Sequence, residues 1–223
     1  MQCDAIIVAA GRGRRMGFDK LMAPLAGKTV LQWSLDAFLD CELIGRIVIV
    51  TDENRFARLD PGTSKEVLRV DGGRERFLSV AAGLEALGNG APYLAVHDGA
   101  RPLVLPEHIE ECFRTARESG AATLARRLTE TVKKGTRDNF TRGSVPRDDL
   151  WFTETPQIFR AKTIVRAYKQ VLTRRLPVTD EVSAAEALGI ATKLVENSAP
   201  NLKITVPSDL VLAAAILATR QPE

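Results

Sequence analysis

The chain is poor in the residues from which metal centres, disulfide frameworks and covalent active sites are built. Its 223 residues include two histidines, His97 and His108, and three cysteines, Cys3, Cys41 and Cys112. The cysteines are odd in number, far apart and without a CxxC pair. This argues for buried thiols in a reducing cytoplasm rather than for disulfides or zinc. There is no HExxH, no Ser/His/Asp set and no activated cysteine, so a His-ligated metal and covalent catalysis are not expected. Aromatics make up 5% of the chain and the net charge is only +3, which leaves nucleic-acid binding little to rest on. Long apolar runs are also missing. AIIVAA at residues 5–10 ends in a basic loop, and Leu210–Ala218 is too short to span a bilayer, so neither a secretion signal nor a membrane segment is expected.

What is present is concentrated. Residues 5 to 20 read AIIVAAGRGRRMGFDK: an apolar strand, Ala5–Ala9, followed at once by glycines and the cations Arg12, Arg14, Arg15 and Lys20. Gly11 and Gly13 let backbone approach a phosphate with no Cβ in the way, and turn amides with cationic side chains supply donors and charge. The segment is not a Walker loop, since no Lys-Ser or Lys-Thr follows its last glycine. It is not a dinucleotide fingerprint either, because Met16 stands where GxGxxG needs glycine. A lone glycine turn after a strand is a weak signal, but the density of cations at a strand's carboxyl end, where open α/β sheets put their ligands, points to a polyphosphate.

Further along, strand-like and helix-like segments alternate. Strands are expected at Arg46–Thr51, Glu66–Val70, Tyr93–His97 and Ala121–Leu124. Helices are expected at Thr29–Leu39, through Phe77, Val80, Ala81 and Leu84, at Pro106–Ser119 with proline at N1, and at Ala161–Leu172. The alternation predicts an α/β fold: a Rossmann-like, mostly parallel sheet with helices on both faces, in one domain over residues 1–223. Residues 126–151 break the pattern. Polar and glycine-containing, they read as a protruding β-hairpin arm, marginal alone and stabilised by a second subunit, so a homodimer is expected. NLKITV at residues 201–206 reads as a terminal strand, before a last helix capped by Ser208 and Asp209.

Several loops fall where strands end. Asp71–Ser79 carries paired glycines ahead of a helix and can cup a ribose or base edge. Asp98, with Gly99, Ala100 and Arg101, is either a Mg²⁺ ligand or a turn aspartate paired with Arg101. His97 reads as a packed core residue. Thr179, Asp180 and Glu181 are either a helix cap or a contact to a polyol, and Lys203 is either an exposed edge residue or a phosphate ligand. Positioning, a metal and cations suffice for phosphoryl-type transfer, so nucleotidyl transfer is the chemistry these residues favour.

In series, AAGRGRRM, Lys20, DGGRER…S, VHDGARP, TPQIF, TDEVSA and NLKITVPSDL resemble the 2-C-methyl-D-erythritol 4-phosphate cytidylyltransferases of the non-mevalonate isoprenoid pathway. The resemblance covers essentially the whole chain in order. It implies that CTP and methylerythritol 4-phosphate are the substrates, with Mg²⁺ or another divalent cation as cofactor. By position, Arg15 and Lys20 match the cations that stabilise the transition state. Ala9, Ala10, Gly11 and Gly13 belong to the nucleotide loop, and Gly73 and Ser79 fall where cytosine is read. Asp98 falls at the metal and ribose, with Gly99 and Arg101 completing that loop. Thr179 and Asp180 lie at the sugar-alcohol subsite, and Lys203 matches the residue that positions the acceptor phosphate. The resemblance also implies a homodimer in which one subunit's arm completes its partner's site.

The match has departures. The stretch between Met16 and Lys20 is about two residues shorter than in many members, and Arg74 stands at an often acidic position. Thr129 replaces an arm arginine that binds substrate phosphate in some members, leaving Arg126, Arg127 or the Thr129 hydroxyl for that role. Two other readings stay open: a ribitol-5-phosphate cytidylyltransferase, which shares the CTP half, and a nucleotide-binding module without catalysis.

Overall fold

The computed structural model describes residues 2–11 and 16–220. Arg12, Gly13, Arg14 and Arg15 lie outside the described residues, so the expectations for Gly13 and Arg15 gain nothing from it.

In chain order the elements are β1 (Cys3–Val8), the two-residue strands β2 (Pro24–Leu25) and β3 (Lys28–Thr29), α1 (Val30–Asp40), β4 (Ile44–Val50), the single turn α2 (Glu53–Phe56), β5 (Glu66–Val70), α3 (Arg76–Leu87), β6 (Tyr93–Asp98) and α4 (Pro106–Ser119). There follow β7 (Ala121–Arg127), β8 (Val132–Gly135), β9 (Thr141–Val145), β10 (Trp151–Arg160), α5 (Ala161–Arg174), α6 (Glu181–Glu186), β11 (Lys193–Glu196) and α7 (Pro207–Arg220). Seven strands form one sheet in the order β11-β7-β10-β6-β1-β4-β5. β1 runs parallel to β4 and β6, β4 to β5 and β7 to β11, while β10 is antiparallel to both β6 and β7. The sheet is therefore mixed but mostly parallel. Chain order reverses between β1 and β6, the switch point where such sheets open a crevice beyond their strands' carboxyl ends.

Both sheet faces are buried, so residues 5–8 of β1 and 47–50 of β4 are continuous apolar runs rather than alternating ones. Ile7 and Ile49 join Leu31, Leu35 and Phe38 of α1 and Phe113 of α4 on one face. Ile6 and Val48, one residue out of phase, join Val80 of α3, Ile164 and Tyr168 of α5 and Ala184 of α6 on the other. α7 covers a smaller cluster that includes Leu103, Ile204 and Leu217. Cys3, Cys41 and Cys112 are free and buried, as expected.

The arm is present, with β8 and β9 paired to each other as a separate two-stranded sheet and Phe140 73% exposed near its tip. Two expectations fail. NLKITV is not a strand: it runs as an irregular segment, Ile204 N–H donating to the Ala100 carbonyl at 2.8 Å while the Ile204 side chain packs inward. The sheet's edge is instead β11. The last helix begins at Pro207, so Ser208 and Asp209 lie inside its first turn, and the Asp209 carboxylate reaches back to accept from Thr205 and Val206 N–H.

Candidate active site

The crevice beyond β1 and β6 holds most of the predicted residues. Ala9, Ala10 and Gly11 continue directly from β1. Ala9 N–H donates to the Val50 carbonyl at 2.9 Å, and Gly99 N–H donates to Val8 at 3.0 Å, tying the loop after β6 to the end of β1. Gly99 fits because a Cβ there would stand 2.6 Å from Leu31 Cδ1. On the other side, residues 72–73 pass against the loop that follows β1. A Cβ on Gly72 would lie 2.1 Å from Ala10 Cβ, so this glycine permits a close approach that no other residue allows. Ser79 is buried in α3, its hydroxyl accepting from Gly73 N–H at 3.1 Å and thereby shaping the glycine pair.

Beyond β6 lies a cleft of about 170 Å³ lined by Arg76, Asp98, Arg101, Thr153, Glu154, Thr155, Gln157, Thr179, Asp180 and Lys203. Asp98 is its electrostatic centre. Arg76 Nε donates to one carboxylate oxygen at 2.9 Å, Lys203 Nζ to the other at 2.7 Å, and Arg101 Nε stands 4.0 Å away. Burial alone would raise this carboxyl's pKa, but the charges of Arg76 and Lys203, with Arg101 behind them, hold it well below the usual carboxylate range. Asp98 is thus an ion-paired aspartate at the strand's end, with Arg76 and Lys203 as its nearer partners and Arg101 farther off. Arg101 Nη1 donates to the Asn201 carbonyl at 2.6 Å, yet among the described residues nothing accepts from its buried Nε. A buried donor left open in a cationic cleft suits an anionic ligand.

The cleft's far wall comes from β10. Its pairing with β7 slips between Thr153 and Gln157, so Glu154, Thr155 and the cis Thr155–Pro156 peptide bulge out of register. Bulges re-aim side chains, and here they turn polar groups into the cleft. Thr155 Oγ1 accepts from Asp98 N–H at 3.0 Å and lies 3.0 Å from His97 Nδ1. The Arg101 carbonyl, 3.3 Å from Nε2, can only accept, so the neutral imidazole carries its proton on Nε2 and its Nδ1 accepts from the Thr155 hydroxyl. Burial lowers the His97 pKa to about 3, so the ring is neutral and serves as a core staple, as expected. Asp180 caps α6 by accepting from Ser183 N–H at 2.9 Å, and its second oxygen accepts from Gln157 Nε2 at 3.0 Å.

The partnership of Arg76 and Glu181 is not legible in the sequence. Arg76 sits inside the DGGRER motif, where the glycines, Arg74 and Ser79 are the residues singled out. Glu181, read with Thr179 and Asp180 as either a helix cap or a polyol contact, is fully buried, accepting from Arg76 at 2.7 and 3.0 Å and from the Tyr168 hydroxyl at 2.7 Å. Lys20 Nζ donates to the Ile204 carbonyl at 2.5 Å, which brings the loop's last cation to the residue after Lys203. Thr129 stands apart. It is exposed at the arm's base, its hydroxyl on Glu130 and its carbonyl held by Arg147 Nη1. Arg126 stacks over Phe152 and Arg127 over Trp151, so within one chain none of the three lines the cleft.

With this geometry in view, comparison with known proteins is decisive. The profile of the 2-C-methyl-D-erythritol 4-phosphate cytidylyltransferase family matches residues 3–219. The chain belongs to this family. Relatives bearing that description include one from Prochlorococcus marinus (strain NATL2A), 37% identical with 96% of this chain and 97% of the relative aligned. Another, from Geobacillus kaustophilus (strain HTA426), is 37% identical with both chains covered in full. Among solved structures, the 2-C-methyl-D-erythritol 4-phosphate cytidylyltransferase of Thermus thermophilus superposes with a TM-score of 0.82 at 31% identity, covering 98% of this chain and 100% of its own. The 4-diphosphocytidyl-2C-methyl-D-erythritol synthase of Anaerococcus prevotii gives 0.85 at 29% identity, with 97% and 96% covered. Among the described residues no helix is long and apolar enough to cross a membrane.

Proposed function

We propose that the chain transfers the cytidylyl group of CTP to 2-C-methyl-D-erythritol 4-phosphate, releasing pyrophosphate. The observation that carries this reading, within the family, is the meeting of the Lys20 end of the nucleotide loop with the cationic cleft at residues 203–204. An acceptor phosphate in the cleft and a triphosphate on the loop would lie side by side.

CTP binds along Ala9–Gly13, with its base at Gly73 and Ser79. The acceptor's phosphate is held by Lys203 and the open Arg101 donor, and its hydroxyls meet Thr179 and Asp180. A phosphate oxygen of the acceptor attacks the α-phosphorus in line. The new P–O bond forms as the bond to the β-phosphate oxygen breaks, and pyrophosphate leaves with that electron pair. Arg15 and Lys20 stabilise the charge that builds on the α-phosphoryl oxygens. A divalent cation, Mg²⁺ or another, suits the donor set: Asp98 is a hard oxygen that stays ionised, and a nucleotide's own phosphates complete such sites. When bound, the metal would neutralise triphosphate charge.

The homodimer belongs to the same reading. Among the described residues β8 and β9 pair only with each other, Phe140 is exposed, and an isolated hairpin is marginal in water. A partner's site would give the arm, with Thr129, its packing surface. The test is pyrophosphate release from CTP with methylerythritol 4-phosphate or with ribitol 5-phosphate. Turnover with the first is expected. No release, or faster release with ribitol 5-phosphate, would overturn the assignment.

A further inference from the structure

Arg55 lies on α2, outside the cleft and outside every motif described above. Its side chain is only 12% exposed, and its guanidinium is used on three sides. Nη1 donates to the Ala9 carbonyl at 2.7 Å, Nη2 to the Gly11 carbonyl at 3.1 Å, and Nε to Asp19 Oδ2 at 2.7 Å. The first two acceptors are where the chain enters the nucleotide loop. The third is where it leaves, one residue before Lys20, and Asp19 Oδ1 in turn accepts from Leu21 N–H at 3.1 Å. Asp52 caps the turn by accepting from Arg55 N–H at 3.0 Å and stands 3.5 Å from its Nε.

We infer that Arg55 is a positioning residue for the nucleotide loop, clamping entry to exit so that the loop amides and Lys20 meet the triphosphate in one fixed geometry. A trans peptide is planar, with C=O and N–H pointing opposite ways. Holding the Ala9 carbonyl toward Arg55 turns the Ala10 N–H to the other side, where a phosphate can accept from it. Lysine, a single point donor, cannot span three acceptors, whereas a planar fork can. Asp19 and Asp52 balance the guanidinium's charge, so the effect is one of orientation rather than of attraction.

The inference rests on the proposed CTP site, and the test separates the two. Arg55→Met, Arg55→Lys and Asp19→Asn are compared with the wild-type chain by steady-state kinetics in each substrate, by calorimetric CTP binding and by thermal melting. Misplacing a reacting group by about 1 Å typically costs about 10²-fold, so Arg55→Met is expected to lose about that in kcat/KM for CTP, with the acceptor's KM within about twofold of wild type. Arg55→Lys should fall between the two. Asp19→Asn should lower kcat while leaving CTP affinity nearly intact, since it loosens only the Lys20 end. CTP kinetics unchanged in folded Arg55→Lys and Asp19→Asn, or a loss spread equally over both substrates, would overturn the clamp alone. A wild-type chain that neither binds nor turns over CTP would remove the proposed site and the clamp with it.

Discussion

Arg76 offers the sharpest energetic test, because it compensates a carboxylate that has no access to water. Glu181 is completely buried, and its two oxygens are held by Arg76 at 2.7 and 3.0 Å and by the Tyr168 hydroxyl at 2.7 Å. Replacing Arg76 with methionine leaves that charge with one neutral donor. Removing one partner of a buried pair costs about 3–5 kcal/mol, and because the Arg76 side chain is 26% exposed the lower figure, about 3 kcal/mol, applies. For a chain of this size each kcal/mol moves Tm by about 2–4 °C, so Arg76→Met should melt about 6–12 °C below wild type. The double variant Arg76→Met/Glu181→Gln removes the orphaned charge but keeps a partner for Tyr168. It should recover about 2 kcal/mol, a coupling within the range seen for contacting pairs. Circular dichroism melts and urea titrations of the four chains complete the cycle. A melting point within about 2 °C of wild type for Arg76→Met, or strict additivity in the double variant, would refute the reasoning.

The remaining tests probe chemistry, protonation and assembly. Lys20→Ala should lower kcat about 10²–10³-fold with little change in CTP affinity, whereas Lys203→Ala should chiefly raise the acceptor's KM; pyrophosphate-release kinetics distinguish the two. His97 is neutral when folded, with a pKa near 3 against about 6.5 unfolded, so its contribution is intact above pH 6.5 and declines as pH falls toward 3; at about pH 4.5 the loss is about 3 kcal/mol. Urea unfolding at the two pH values should show it, and an NMR titration midpoint near 6.5 for the His97 ring would contradict it. Deleting residues 130–147 should give a folded monomer without turnover in sedimentation and activity assays; a dimer that persists would move the interface elsewhere. Burial raises the pKa of all three thiols, so Ellman's reagent should find none in the native chain and three in denaturant.

The sheet was legible wherever burial is two-sided. The apolar runs of β1, β4 and β6 have no other use, and Glu66–Val70 and Pro106–Ser119 fall where expected because a turn and an N1 proline bound them. β10 was visible only as TPQIF, since its buried Glu154 and Gln157 look like loop residues until their partners are known. Asn197 and Asn201 donate to Glu154, and Gln157 accepts from Glu181 N–H and donates to Asp180. β11 shows no pattern because only Val195 is buried. NLKITV failed in the opposite way: its alternation is real, but Ile204 faces the α7 cluster and no neighbouring strand. In the site, Asp98 and Lys203 could be named, but not their pairing, which depends on residues 105 positions apart. Arg55 carries no local signal, and Arg76, though inside DGGRER, gives none of its role, because both act through acceptors remote in sequence.

These long-range contacts explain how two loops from opposite ends of the chain become one site. Val8 accepts from Gly99 N–H, Ala100 accepts from Ile204 N–H, and Ile204 accepts from Lys20. The path thus returns to the nucleotide loop through the segment that also carries Lys203. On the cleft side, the Asn201 carbonyl holds Arg101 while its Nδ2 donates to Glu154 and to the Thr155 carbonyl. Residues 201–204 therefore bind both halves, through backbone carbonyls, the Asn201 amide and the Lys203–Asp98 ion pair. In a regular strand the carbonyls of Asn201 and Ile204, three residues apart, would point to opposite sides, so an edge strand paired on one side would commit one of them to its neighbour. A single piece of chain thus sets both the cation of one loop and the cleft-lining arginine of another.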